Sequence, residues 1–442
     1  MAGDARAAAR VAITAVAWGV KLDRALGRAL RPAGVDRFDR RDCSFVETAV
    51  KAVVRHRRWL DYQLLGVAAC PLNRLPPPVL ATLRLAAAEL FLMNTPAYAA
   101  VNEAVASTRA GSYASLAGFV NGVLRKLAAA PPAAVVAADA VRLLALTYSF
   151  PDWLVRRWLA RLGPDDAEAL LRAHNAPAPL TVLPAPPGDG RPGRAELIAA
   201  LARAGVGVAD GPFGTLELAL GDVPLTAAPG FAEGWFIIVD PASTLAPRWL
   251  APPPGAVVLD LCAGAGGKAF QLAWAVGPAG KVYAVDLNER KLAQLTAAAQ
   301  RLGLSNIEML VADVRRAPLP EASYVLLDAP CTNLGVIRHK PDVKWRLVEA
   351  DLARAAATEE ELLRRVLAAV APGAKVLYNV CSTEAEEGEE LVTRVLADMT
   401  GYALEPPDAG AWGPAAAGSF IRTWPPRDGC NGGFAALIRR TA

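Results

Sequence analysis

Histidine is scarce in this sequence, with three in 442 residues, and the six cysteines stand far apart at Cys43, Cys70, Cys262, Cys331, Cys381 and Cys430. No zinc knuckle and no closely spaced redox pair can be drawn from that set, so no structural metal is expected. Free thiols in a reducing compartment are the consistent reading, each by default a small buried apolar group. Long apolar runs are missing too. None reaches the roughly 18 residues that span a bilayer, because proline, glycine or a charge interrupts every candidate. The stretch over residues 11–20 imitates a signal peptide only in hydropathy. Asp4 is acidic, no small-residue cleavage site follows, and the helical pattern continues through Lys21 and Arg24. The expectation is a cytoplasmic protein that touches no membrane and needs no more than a monomer. Internal repeats are absent as well.

At 442 residues the chain is too long for one core and divides into two or three domains. Hydrophobic residues make up 53% and charged residues 20%, which excludes a disordered chain. The net charge of +4 hides an asymmetry: residues 1–130 hold 18 of the 47 basic residues but only 9 of the 43 acidic ones. A surplus of that sign draws polyanions. The run Arg55, His56, Arg57, Arg58 beside Trp59 offers cations for phosphates and an aromatic for a base, although a solvated helix face accounts for it equally well.

Residues 1–130 repeat apolar positions at helical spacing, with Pro76, Pro77, Pro78 and Pro96 at the connections. Pro131-Pro132 mark a boundary, and a helix is predicted over 148–162 with Trp153 and Trp158 facing inward. From about Asn175 the spacing predicts strands at 180–183 and 216–220 around a helix at 194–204, a small α/β module. From Gly255 onward, buried strands are predicted at 257–261, 282–285, 307–311, 324–327 and 375–378, each followed by a helix or loop. That alternation specifies a parallel doubly wound sheet, whose ligands bind at the carboxyl ends of the strands.

The glycine-rich turn Asp260-Leu261-Cys262-Ala263-Gly264-Ala265-Gly266-Gly267-Lys268 joins the first of these strands to a helix, and Asp286 ends the next strand. Glycines there let a ligand approach the backbone, and a strand-end carboxylate suits ribose hydroxyls. Taken alone, these features fit a methyltransferase or a nicotinamide or flavin enzyme. Two later strand ends separate the readings. Asp328-Ala329-Pro330-Cys331 and Val380-Cys381-Ser382 both place a thiol at the same sheet edge, for which a nicotinamide enzyme has no use.

The ordered set of residues 262–268, Asp286, Asp313, residues 328–331, Lys340-Pro341-Asp342-Val343-Lys344-Trp345 and Cys381-Ser382 resembles the RNA 5-methylcytosine methyltransferases. The stretches Val101-Asn102-Glu103-Ala104-Val105 and Gly118-Phe119-Val120-Asn121-Gly122-Val123-Leu124-Arg125 resemble the helical RNA-binding domain of the antitermination factor B family. Together they are most similar to the bacterial small-subunit ribosomal RNA cytosine-5 type. The resemblance implies an α/β fold: a Rossmann-like class I methyltransferase domain with a parallel-rich sheet over 239–442. An all-α RNA-binding domain over 1–130, then linker helices and a small α/β RNA-binding module over 131–238, precede it.

It also implies a cofactor, S-adenosylmethionine, held by Cys262, Ala263, Gly264, Ala265, Gly266, Gly267, Lys268, Asp286, Asp313 and Asp328, and an RNA partner, 16S ribosomal RNA. Carbon 5 of cytosine is too electron-poor to attack a sulfonium methyl unless a nucleophile first adds at carbon 6. By correspondence Cys381 is that nucleophile, Cys331 assists breakdown of the adduct, Asp328 binds the nitrogen 3 edge of the base, and Lys268 faces the site. The alternatives are the same chemistry on transfer RNA and a non-catalytic RNA-binding scaffold. The sequence departs from the family at Thr332-Asn333-Leu334, at Gly264-Ala265, at Val380 before Cys381, and at Asn431-Gly432-Gly433-Phe434.

Overall fold

Small apolar residues at helical spacing and prolines at helix starts make the N-terminal part helical. A computed structural model describes residues 5–31, 38–188 and 190–441. Helices α1 (Ala5–Ala17) and α2 (Leu22–Leu30) are separate where one helix is predicted, because Gly19 takes a φ of +87° that ends the first. Helix α3 (Arg40–Leu65) starts on the Asp39 side chain, which accepts from the Asp42 N–H, and is broken locally at His56. Helix α4 (Pro77–Phe91) has proline in its first turn, and α5 (Ala97–Ala110) follows Pro96. With α6 (Ala117–Ala128) they enclose one core, in which Ile13, Val50, Leu83 and Leu124 are buried.

Helix α7 (Ala140–Thr147) precedes the helix predicted to begin at Tyr148, which begins instead as α8 (Asp152–Asn175), after Ser149 at φ +59°. Trp158 is fully buried, with ring centroids 5.7 Å from Phe150 and 5.6 Å from His174, whereas Trp153 is half-buried.

This unit runs to Asn175 and takes in Lys340–Leu347. Within it the Trp345 indole donates to the Val54 carbonyl (2.7 Å), and the Lys344 ammonium donates to the Arg55 carbonyl (2.9 Å). Arg57 stacks over Trp345 at 4.1 Å. Arg58 donates to the Phe150 carbonyl (2.7 Å) and pairs with Asp152 (2.7 Å). The run from Arg55 to Arg58 is therefore neither a phosphate-binding face nor a solvated one. Its residues are half-buried, and the guanidinium groups of Arg57 and Arg58 are used inside the unit.

The second unit, Ala176–His339 and Val348 onward, opens with the small module. Strands β1 (Leu180–Pro184), β2 (Gly207–Asp210), β3 (Leu216–Ala219) and β4 (Phe236–Ile238) form an antiparallel sheet in the order β2-β3-β1-β4, with α9 (Arg194–Arg203) packed on it through Leu197 and Leu201. After α10 (Leu245–Leu250) the main sheet begins. It contains β5 (Val257–Leu261), β6 (Lys281–Asp286), β7 (Ile307–Val311), β8 (Tyr324–Asp328) and β9 (Lys375–Val380), with α11 (Gly267–Val276) and α12 (Glu289–Arg301) between the first three. Between β8 and β9 lie α13 (Val343–Arg346), which belongs to the helical unit, and α14 (Ala350–Ala369). Helix α15 (Glu389–Asp398) and strands β10 (Tyr402–Leu404), β11 (Ala416–Ala417), β12 (Phe420–Thr423) and β13 (Gly433–Arg440) follow.

The order β11-β12-β13-β9-β8-β5-β6-β7 makes the five predicted strands parallel, with β10 to β13 added antiparallel at one side. Both faces are covered. Val258, Leu326 and Leu377 face one core, while Leu259, Val325, Leu327 and Tyr378 face the other, which is why these strands appear as continuous apolar runs. From β5 the chain winds outward through β6 and β7, and from β8 in the other direction through β9. The switch point therefore lies at the carboxyl ends of β5 and β8, the edge where ligands of such sheets bind. Among the described residues no helix is long and apolar enough to cross a membrane.

Candidate active site

The glycine turn after β5 has backbone geometry that few other sequences would adopt. Cys262, Gly264 and Gly266 take φ of +64°, +60° and +93°. A Cβ on Gly266 would lie 2.5 Å from Leu295 and 2.7 Å from Phe270, so only glycine lets the turn close onto α11. Asp286 pins the turn. One carboxylate oxygen accepts from the Gly264 N–H (2.9 Å), and the other accepts from the Asn288 N–H (2.7 Å). Asp313, two residues beyond β7, is held by a two-pronged contact with Arg315 (3.0 and 2.8 Å), and that contact draws its carboxyl below the usual range. The Cys262 thiol is pushed up to about 12, chiefly by burial and then by the carboxylates around it, so it serves as packing beneath the turn.

Sequence reasoning assigned no role to Asp260, yet it is fully buried and neither carboxyl oxygen has a hydrogen-bond partner among the described residues. Burial first, and then Asp328, push its pKa up to about 8. An unpartnered carboxyl directly below a glycine turn fits a ligand that carries an amino group. The turn, this carboxyl and the strand-end acids Asp286 and Asp313 thus make a cradle suited to an amino-acid nucleoside.

Cys331, Cys381 and Asp328 stand at or just beyond the next two strand ends. In the parallel register Asp328 lies opposite Asn379, so Cys331, three residues on, and Cys381, two residues on, meet with their sulfurs 3.3 Å apart. Asn333, at φ +64°, accepts from the Cys381 thiol (3.2 Å) and donates to the Cys331 carbonyl (2.7 Å). Asparagine is one of the few residues with a side chain that tolerates this backbone, which accounts for the departure there. The Cys331 thiol is pushed well above its ordinary range, first by its hydrogen bond to Cys381 and then by burial. Asp328 receives Lys268 on one oxygen (2.7 Å) and Asn379 on the other (2.6 Å). Burial pulls the Lys268 ammonium down, but Asp328 more than offsets it, and the net shift is upward.

A second departure also has a cause. A Cβ on Gly432 would come within 2.4 Å of Thr383, and one on Gly335 would sit 2.0 Å from the Gly432 carbonyl. The two backbones touch, Gly432 donating to Gly335 (3.0 Å) and Gly335 to Cys381 (3.1 Å), so Asn431-Gly432-Gly433 braces the loop that carries the thiols.

Such a sheet, with a glycine turn and acids at successive strand ends and two thiols in contact at the same edge, fits a methyltransferase that uses S-adenosylmethionine. Comparison with known proteins narrows the class. The 16S rRNA methyltransferase RsmB/F family matches residues 247–439, and the NusB family matches residues 4–129. The ribosomal RNA small subunit methyltransferase B of Thermus thermophilus is 35% identical over 440 residues, covering 99% of this chain and 98% of that one. The probable ribosomal RNA small subunit methyltransferase B of Bacillus subtilis is 32% identical over 349 residues, covering 78% and 77%. The crystal structure of PH0851 superposes with a TM-score of 0.81 at 25% identity, covering 99% of both chains. This chain belongs to the RsmB/F family of 16S rRNA methyltransferases.

Proposed function

We propose that the protein methylates carbon 5 of a cytosine in small-subunit ribosomal RNA through a covalent adduct between Cys381 and carbon 6 of the base. The 3.3 Å contact between the Cys331 and Cys381 sulfurs beside Asp328 carries this reading. A single thiol at a strand end is ordinary packing, but two in contact at the carboxyl edge of a methyltransferase sheet are placed for addition and elimination on one base.

When bound, the cofactor supplies a sulfonium methyl group. Residues 262–268, Asp260, Asp286 and Asp313 hold it. Cys381 adds to carbon 6 and sends electron density to carbon 5, while the adduct's nitrogen 3 proton is held by Asp328. Lys268 and Asn379 fix the direction of that carboxylate, and uracil, with a carbonyl in place of the amino group at carbon 4, presents an acceptor where cytosine presents a donor. The target base must leave its stack to reach both thiols, so an unpaired nucleotide is the expected substrate. Purified protein with labelled cofactor should label 16S rRNA, and 5-methylcytosine mapping should lose one site in cells lacking the protein. A label found on transfer RNA alone would overturn the substrate.

Asp286→Ala should weaken S-adenosylmethionine binding by about 1–3 kcal/mol, because a charge-assisted contact and the pin on Gly264 are lost together. A calorimetric titration of the folded variant checks this, and an unchanged affinity contradicts the assignment.

Residues 1–130 form the RNA-recruiting domain and 131–238 a linking and RNA-binding module, ahead of the catalytic domain at 239–442. Since the Arg55–Arg58 run is half-buried beneath Lys344 and Trp345, the polyanion is met by cations on the surface, such as Arg24 and Arg28 of α2, which are exposed. Arg24→Glu with Arg28→Glu should weaken RNA binding and reduce the salt slope by about 1–2. An identical slope for the variant would remove α2 from the RNA face.

A further inference from the structure

The residues that follow the two cysteines share one partner. Glu387 lies in a short turn after β9 and is fully buried, as are Thr332, next to Cys331, and Ser382, next to Cys381. One Glu387 oxygen accepts from the Thr332 N–H (2.6 Å). The other accepts from the Thr332 hydroxyl (2.6 Å) and from the Ser382 hydroxyl. The turn that carries Glu387 is itself tied down, since the Tyr378 hydroxyl donates to the Glu387 carbonyl (2.7 Å). Because the carboxylate is sealed from solvent and both of its oxygens are engaged, it has no route to a substrate or cofactor.

We infer that Glu387 is a positioning residue that clamps the two cysteine loops to each other and so sets the distance between the thiols. This deepens the reading that Cys331 and Cys381 act on one base, and rests on it. The reason lies in connectivity. Sheet register brings Asp328 and Asn379 side by side, but each thiol sits two or three residues beyond the last paired position, where the ladder no longer constrains the chain. Asn333 and the Gly335 N–H already join the Cys331 loop to Cys381, and Glu387 adds buried hydrogen bonds to both loops next to the two thiols. Its neighbour Glu359 is also buried. Burial and then Glu387 push the Glu359 carboxyl up to about 10, which keeps it neutral and leaves one negative charge for the three donors.

The test uses the full chain carrying Glu387→Ala or Glu387→Gln. Glutamine can hold the same connections, its amide oxygen taking the Thr332 N–H and its amide nitrogen donating to the hydroxyls, so it should rescue what alanine loses. Thiol spacing is read by oxidation with diamide. The Cys331 and Cys381 thiols give up two protons and two electrons, a sulfur–sulfur bond forms, and the diazene is reduced to the hydrazine. Peptide mass mapping follows that pair among the other cysteines. Alanine should slow closure about tenfold, while glutamine stays near the parent, because disulfide formation is sensitive to the approach of the two sulfurs. Closure in Glu387→Ala as fast as in the parent would overturn the clamp.

A second readout separates the clamp from the chemistry. Addition needs Cys381 alone and elimination needs both thiols, so Glu387→Ala should slow release of methylated RNA about 100-fold while adduct formation and cofactor affinity stay near the parent. Slowed disulfide closure with release unchanged would keep the clamp and overturn the role given to Cys331. Should Glu387→Ala fail to fold, Thr332→Val with Ser382→Ala cuts the hydroxyl arms without emptying the site. That variant must slow closure too, or the proposal falls.

Discussion

Cys381→Ala should lower methyl transfer by about 10⁴-fold or more and give no RNA-linked protein band, whereas Cys331→Ala should accumulate a methylated band that survives denaturation. The contrast follows from the hydrogen bond between the thiols. The Cys331 thiol is held above its ordinary range first by its hydrogen bond to Cys381 and then by burial. Cys381, in contact with Cys331 and Asn333, is the sulfur that adds to carbon 6 as the thiolate. Once Cys381 is a thioether in the adduct, the first cause of that upward shift is lost, and Cys331 is the thiol left to act as a base. It can then take the proton from carbon 5, the carbon–sulfur bond breaks, and the double bond between carbons 5 and 6 is restored. One pair of thiols thus exchanges roles within a turnover. Denaturing gels of each variant with labelled RNA and labelled cofactor read both outcomes. A trapped band with Cys381→Ala and none with Cys331→Ala would mean that the two roles are exchanged.

The parallel strands were legible because burial on both faces leaves a mark that no distant residue can alter. Strands β5 and β7 match their predicted bounds, and β6, β8 and β9 run one or two residues longer. The thiols and strand-end acids were legible for a related reason. A parallel sheet delivers its loops to one edge, so motif order along the chain becomes proximity in space. What could not be read were the residues whose environment is made by remote segments. Glu387 stands in Glu384-Ala385-Glu386-Glu387-Gly388-Glu389-Glu390, a stretch whose charge suggests a solvated surface, yet its side chain is sealed among Thr332, Ser382 and Glu359. Asp260 was visible only as the start of a motif, because its isolation depends on the strands either side of it. The same error in reverse applies to Arg55–Arg58, where local charge suggested a phosphate-binding face and the strap at Lys340–Leu347 covers it instead. Strands β10 to β12 escaped because antiparallel additions of two to four residues carry little periodicity of their own.

That strap makes the helical unit sensitive to acid. His56 sits at the break in α3, and its imidazole is pushed down to about 3, by burial first and then by Lys344 and Arg55. Lys344 is fully buried, its ammonium 3.7 Å from the centre of the Phe150 ring. Burial, Arg55 and Arg57 hold it well below the ordinary lysine range. Both shifts have the same sign. Each group takes a proton more readily in the unfolded chain than in the folded one, so stability falls as pH falls. For His56 the contribution is complete above its ordinary value of 6.5 and is lost progressively as pH falls toward 3. Lys344 acts over a higher window, starting below the unfolded lysine value. Between pH 7.5 and 4.5 the His56 part amounts to about 2–3 kcal/mol, since each pH unit crossed below the ordinary imidazole value costs about 1.36 kcal/mol. His56→Gln removes the titration and keeps the side chain's size, so the variant should lose that much less stability than the parent over the same interval. Urea unfolding followed by circular dichroism at the two pH values measures the difference, and carboxylates that titrate in the same range cancel because both proteins contain them. Parallel losses in the two proteins would show that the folded state takes up the proton at His56 after all, and that the strap yields to it.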